Sequence, residues 1–134
     1  MCLKLINGIE PQVATEDIVV YKFVESYPNN EKHQGKYFTP YRYCEVEIGN
    51  TYKSELLLAG EIIPVISFGL HSFGDYESCR KIANYYPSDN YHEHIVKCVI
   101  PKGSKYYMGE FETTPNCYAS DCITYVEIIE TLTI

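Results

Sequence analysis

Residues 17–24, "DIVVYKFV", are β-branched and aromatic almost throughout, which is the pattern of a strand buried on both faces. Residues 41–52, "YRYCEVEIGNTY", alternate apolar with polar and then turn at Gly49-Asn50. The stretch 53–61, "KSELLLAGE", fits a strand or a short helix equally well, and "IIPVISFGLHSF" after it reads as a strand, with Pro64 at its start or on a sheet edge. The periodicity then changes. Cys79, Ile82, Ala83 and Tyr86 fall at i, i+3, i+4 and i+7, one apolar stripe of a helix over about residues 75–86. Ser72, three residues before Asp75, has the spacing of a capping box, and Pro87 stops the helix. "HEHIVKCVIPKGSKYYMGEF" predicts a hairpin turning at Pro-Lys-Gly, and residues 117–134 predict one long final strand. Between the first two strands, residues 25–40 form a polar, Pro/Asn/Gly-rich loop long enough to serve as a lid or contact loop. The expected fold is α+β, a twisted, mainly antiparallel sheet with one principal helix, in a single domain spanning 1–134.

Composition narrows the function classes. The 134 residues are enough for a sizeable core, and no run of apolar residues reaches the ~20 needed to span a membrane. The N-terminus is too short in its apolar patch for a secretory signal, so the expected location is the cytosol. The six cysteines form no C-x-x-C pair and are expected as buried thiols rather than a disulfide framework. A net charge of −7 without any lysine or arginine cluster argues against a nucleic-acid polymer as partner. It leaves room for a small anion, a homo-oligomer or a basic protein partner. Tyrosine is in excess, 14 residues with no tryptophan, which suits either sheet surfaces or a groove that stacks on a planar ligand.

Candidate chemistry gathers at "GLHSFG", residues 69–74. Gly69 and Gly74 permit backbone angles that other residues avoid, and His71 and Ser72 would stand before the positive end of the following helix. This is a candidate phosphate or carboxylate seat; the structural alternative is a capping serine beside a turn histidine. Arg42, flanked by Tyr41 and Tyr43, can clamp a phosphate with two parallel N–H bonds. Lys22 falls on the strand face opposite Tyr21 and Phe23, where it either snorkels to water or faces a cleft. Ser120 and Asp121 in "YASD" are candidates of the same kind, and Tyr106 and Tyr107 are candidate stacking rings. His92 and His94 project from one strand face but lack a third ligand at a standard spacing, so no metal is expected. Cys79 with His71 could form a nucleophilic pair, but the helix stripe would bury the thiol and leave it inert.

The series "DIVVYK", "TPYR", "EIGNTY", "GLHSF", "IVKCVIPKGSKYYMG" and "YASD" resembles a group of small proteins of bacteriophages and prophages. More loosely, the order of elements is similar to the ADP-ribosyltransferase fold. That likeness implies Lys22 for the basic position of the first strand, Leu70–Ser72 for the second element, and Asp121 or Glu127 for the late acid. Lysine replaces the usual arginine or histidine, and the middle element lacks Ser-Thr-Ser. The leading expectation is a nucleotide-binding protein in the bacterial cytosol. It would sequester an NAD-derived or cyclic nucleotide signal of anti-phage defence without turnover and without a cofactor. Tyr41, Tyr43, Tyr106 and Tyr107 would stack on the base, with Arg42, Lys22 and the 69–74 backbone on phosphate. The rival expectations are an ADP-ribosyltransferase or nucleotide hydrolase using His71 and Glu127, and an inhibitor that binds a host defence protein.

Overall fold

A computed structural model of the chain describes residues 3–5, 10–40, 44–59, 65–83, 91–111 and 113–132. In chain order the strands before the helix are β1 (Leu3–Leu5), β2 (Gln12–Val13), β3 (Ile18–Ser26), β4 (Tyr37–Phe38), β5 (Glu45–Val46), β6 (Thr51–Lys53), β7 (Leu57–Ala59), β8 (Val65–Phe68) and β9 (Leu70–Phe73). The helix α1 (Tyr76–Ile82) is followed by β10 (His92–Ile100), β11 (Lys105–Phe111), β12 (Thr114–Ser120) and β13 (Cys122–Leu132). All thirteen strands belong to one antiparallel sheet, whose main path runs β6-β13-β10-β3-β9-β12-β11-β1-β8-β7.

This corrects the α+β expectation: the protein is essentially all-β, with one helix of seven residues among those described. The helix starts where expected but ends at Ile82, because Ala83 leaves helical geometry at φ −53°, ψ 127°, and its cap differs from the one the sequence pattern suggests. Asp75, not Ser72, is the N-cap; its carboxylate accepts from the Ser78 N–H at 2.7 Å and from the Ser78 hydroxyl at 3.0 Å. Ser72 is inside β9, paired with Tyr118 of β12. Cys79 and Ala83 are buried against the sheet as the stripe predicts; Tyr86 and Pro87 lie outside the described residues.

The hairpin expected over 92–111 does not form. Beyond the Pro101–Ser104 turn the chain leaves β10, which pairs with β3 and β13, and joins β11, which pairs with β12, β1 and β2. The turn is held from outside instead: Gly103 N–H donates to the Ala14 carbonyl at 2.8 Å, and Ala14 N–H donates to the Ser104 carbonyl at 2.9 Å. The final strand likewise divides at Asp121 into β12 and β13, which pair with different neighbours. A corner of this kind lets one strand serve two portions of a bent sheet. The two portions meet where β3 pairs with β9 through Tyr21 and Phe73. Two close approaches depend on glycine. A Cβ on Gly109 would stand 2.1 Å from the Lys4 carbonyl oxygen, and one on Gly74 would stand 2.6 Å from that of Asn116. Gly74 is therefore required by proximity rather than by an unusual φ.

Strand alternation divides the core between the two faces. Leu3, Phe23, Phe73, Ile95, Cys117 and Ala119 pack with Cys79 of α1 and with Ala83 just after it. Val20, Val24, Val96, Cys98, Ile123 and Tyr125 pack on the other face under Tyr37, Val46, Ile48 and Tyr52 from the β4–β6 stretch. Burying each of these large side chains contributes about 1.5–3 kcal/mol. Residues 25–40 are only in part the open loop expected: β3 continues to Ser26, and Phe38 of β4 pairs back onto Glu25. No helix among the described residues is long and apolar enough to cross a membrane.

Candidate functional site

Where β3 and β9 diverge beneath β4–β6, the strands enclose a partly open cavity of about 320 Å³. Its floor and walls come from Lys22 and Phe23 of β3, the 69–71 backbone with Phe73 of β9, and Tyr125 of β13. Thr39, Pro40, Cys44, Glu45 and Val46 cover one side, and Tyr52, Lys53 and Ser54 the other. The aromatic wall is a T-shaped pair, Tyr52 against Tyr125, with ring centroids 5.5 Å apart at 85°. The Tyr52 hydroxyl is anchored by the Glu47 N–H at 2.7 Å. Tyr125 is 2 % exposed, and burial pushes its hydroxyl well above the usual phenol range, so it stays neutral and can donate a hydrogen bond.

Lys22 is the unusual member. Alternation on β3 puts it on the face of Val20 and Val24, and its ammonium group donates to the His71 carbonyl across the β3–β9 gap. Among the described residues it makes no ion pair: the rim carboxylate of Glu45 is engaged by Lys36 at 3.5 Å. Burial lowers the Lys22 pKa, and the nearby Cys98 and Cys79 oppose that only in part. Burial also pushes both thiols up to about 12, so they remain protonated and cannot act as counter-anions. Cys79 is a fully buried core thiol, as its place on the helix stripe leads one to expect. The His71 Nδ1 lies 3.1 Å from the Gly69 carbonyl, which selects the tautomer with the proton on Nδ1.

Of the residues singled out from the sequence, the structure brings Lys22 and His71 to one cavity. Tyr41, Arg42 and Tyr43 lie outside the described residues, although Pro40 and Cys44 on either side of them both line the cavity. Ser72 is fully buried on the Lys22 face of β9, and no hydrogen bond is made by its hydroxyl among the described residues. His71 and Ser72 lie within β9, and at the start of α1 the Ser78 N–H is already engaged by the Asp75 carboxylate. Tyr106 donates to Gln12 at 2.8 Å, and Tyr107 is buried in the core near α1; neither lines the cavity. The Ser120 hydroxyl donates to the Cys122 carbonyl at 3.0 Å, and the Asp121 carboxylate accepts from the Lys105 N–H at 3.0 Å. Glu127 is exposed on β13, opposite Lys97, and does not line the cavity. His94 is buried between Ser26 at 2.7 Å and Thr131 at 2.9 Å, and burial lowers its pKa.

Sequence reasoning missed Tyr52, Tyr125, Phe23 and Phe73. Each sits in an ordinary strand pattern, and only the meeting of four strands makes them one wall. Comparison of the chain with family models, curated proteins and solved structures yields no match.

Proposed function

We propose that the protein binds a small, anionic, ring-bearing ligand of the nucleotide class in this cavity and holds it without turnover. The observation that carries the reading is Lys22, a cation drawn out of water beside aromatic walls with a backbone carbonyl as its described partner. Lys22 is half-buried, and taking a cation even partly out of water is costly, a cost that a bound anion would offset. Tyr52 and Tyr125 supply ring surface, with Lys53 at the rim as a further donor. The volume is at the small end of ligand pockets, which favours one nucleotide unit over a dinucleotide. A transferase or hydrolase would need an acid at the site. Glu127 stands away from it, the Asp121 carboxylate is committed to the Lys105 N–H, and the rim carboxylate of Glu45 is paired with Lys36. In a phage, as the sequence resemblance implies, holding an NAD-derived or cyclic nucleotide intact would withdraw a signal from the defence system that makes it.

The test is native mass spectrometry of the full chain with mononucleotides, cyclic nucleotides, NAD and ADP-ribose, followed by denaturation and chromatography of what is released. One ligand should be retained one-to-one and recovered unchanged, and Lys22→Met should weaken it at least about tenfold, or ~1.4 kcal/mol. Retention of nothing overturns the reading, and recovery of a cleaved ligand replaces it with an enzyme.

A further inference from the structure

We propose that Lys22 is also a covalent site, whose amine condenses reversibly with the carbonyl carbon of an aldehyde-bearing anion seated in the cavity. The inference rests on the reading of the cavity as a ligand site and narrows the nucleotide class to members with a free anomeric carbon that opens to an aldehyde, such as ADP-ribose, leaving out NAD and the cyclic nucleotides.

Three features of the geometry carry it. The amine projects from β3, a strand paired along its length with β10, so its base is fixed while its tip reaches the cavity. Its described hydrogen bond is to a neutral acceptor, the His71 carbonyl, so no described group of the protein itself holds the nitrogen as ammonium before a ligand enters. The surrounding walls, Phe23, Val46, Leu70, Phe73 and Tyr125, are largely apolar, which lowers the competing activity of water. Burial lowers the pKa of the amine from the usual lysine value, which increases its unprotonated, nucleophilic fraction. The neighbouring thiols of Cys79 and Cys98 do not compete, because burial keeps them protonated.

The chemistry balances without an oxidant or reductant. The nitrogen lone pair attacks the carbonyl carbon, and the carbonyl π pair moves to oxygen, which takes up a proton to give a carbinolamine. Loss of the hydroxyl group with a proton, together one water, forms the carbon–nitrogen double bond. The reverse addition of water releases the ligand and restores the amine.

The test uses the full wild-type chain with pyridoxal 5′-phosphate, a ring-bearing aldehyde phosphate, and sodium cyanoborohydride to trap any imine, followed by digestion and peptide mapping. Lys22 should be modified at neutral pH at least ten times faster than any other lysine, Lys53 at the rim included. Labelling confined to other lysines, or at equal rates throughout, overturns the proposal. Nucleotide retention is measured on the same preparation. Retention without trapping at Lys22 overturns the covalent step and leaves the binding site. Trapping at Lys22 without retention of any nucleotide supports the covalent step and overturns the nucleotide reading. Neither result overturns both. The peptide map requires no variant, so it stands even where Lys22→Met folds poorly.

Discussion

At the residue scale, Lys22 should be a liability to the empty protein. Its ammonium loses hydration in the cavity and regains a single backbone acceptor among the described residues. Replacing it with methionine keeps the unbranched stem and removes the charge. Lys22→Met is therefore expected to raise stability by about 1 kcal/mol or more, roughly 3–5 °C in Tm for a chain of this size. The pH dependence has a definite sign. Between the lowered folded value and the ordinary value near 10.5, the unfolded chain holds one more proton than the folded chain. Wild-type stability thus carries a component that is absent below that window and regained as pH rises through it. The difference between wild type and variant, measured by denaturant unfolding from neutral to alkaline pH, should shrink across that window. A variant less stable than wild type at neutral pH would show that Lys22 is a structural donor. The loss of a stabilising anion would then no longer explain its retention.

At the element scale, the helix shows how local pattern can succeed and fail within a few residues. The stripe of Cys79, Ile82 and Ala83 was legible because a 3.6-residue period has one physical meaning, a buried helical face. The cap was not, because serine and aspartate both cap helices, and what decides between them is the pairing of Ser72 with Tyr118, about 46 residues away. Asp75→Ala should accordingly destabilise by about 1 kcal/mol, measured by chemical denaturation, since it orphans the Ser78 N–H. Ser72→Ala, whose hydroxyl has no hydrogen bond among the described residues, should leave the helix cap unaffected. A larger loss of helix stability from Ser72→Ala would reverse the assignment. The missed hairpin has the same origin. Pro-Lys-Gly is turn chemistry whether the flanking strands pair with each other or with distant strands, and here Ala14 holds the turn. The cavity was legible only through Lys22 and His71, which are unusual on strands. Its tyrosines were not, since any of 14 could have lined it.

At the scale of the whole molecule, the cavity exists because the chain carries its strands around a bend, and Asp121 fastens that bend at three points. Its carboxylate accepts from the Lys105 N–H at 3.0 Å, its own N–H donates to the Lys105 carbonyl at 3.0 Å, and its carbonyl accepts from the Ser54 N–H at 2.9 Å. The last of these ties the end of β6, and with it the cavity wall of Lys53 and Ser54, to the β12–β13 corner. Asp121→Ala removes only the carboxylate bond, so the expected global loss is modest, about 1 kcal/mol or less for an exposed donor. The local effect should be larger than the global one, because the corner and the edge strand β6 depend on Asp121 being held in place. Amide hydrogen exchange should accelerate several-fold at Lys105 and Ser54, while Val20, Val96 and Cys98 in the interior strands keep the protection of the wild type. Ligand retention should weaken in proportion, as the wall facing Lys22 loosens. Uniform acceleration across β3 and β10 would instead make Asp121 a determinant of the whole sheet. Unchanged exchange at Ser54 would mean that the cavity wall is held by β6–β13 pairing alone.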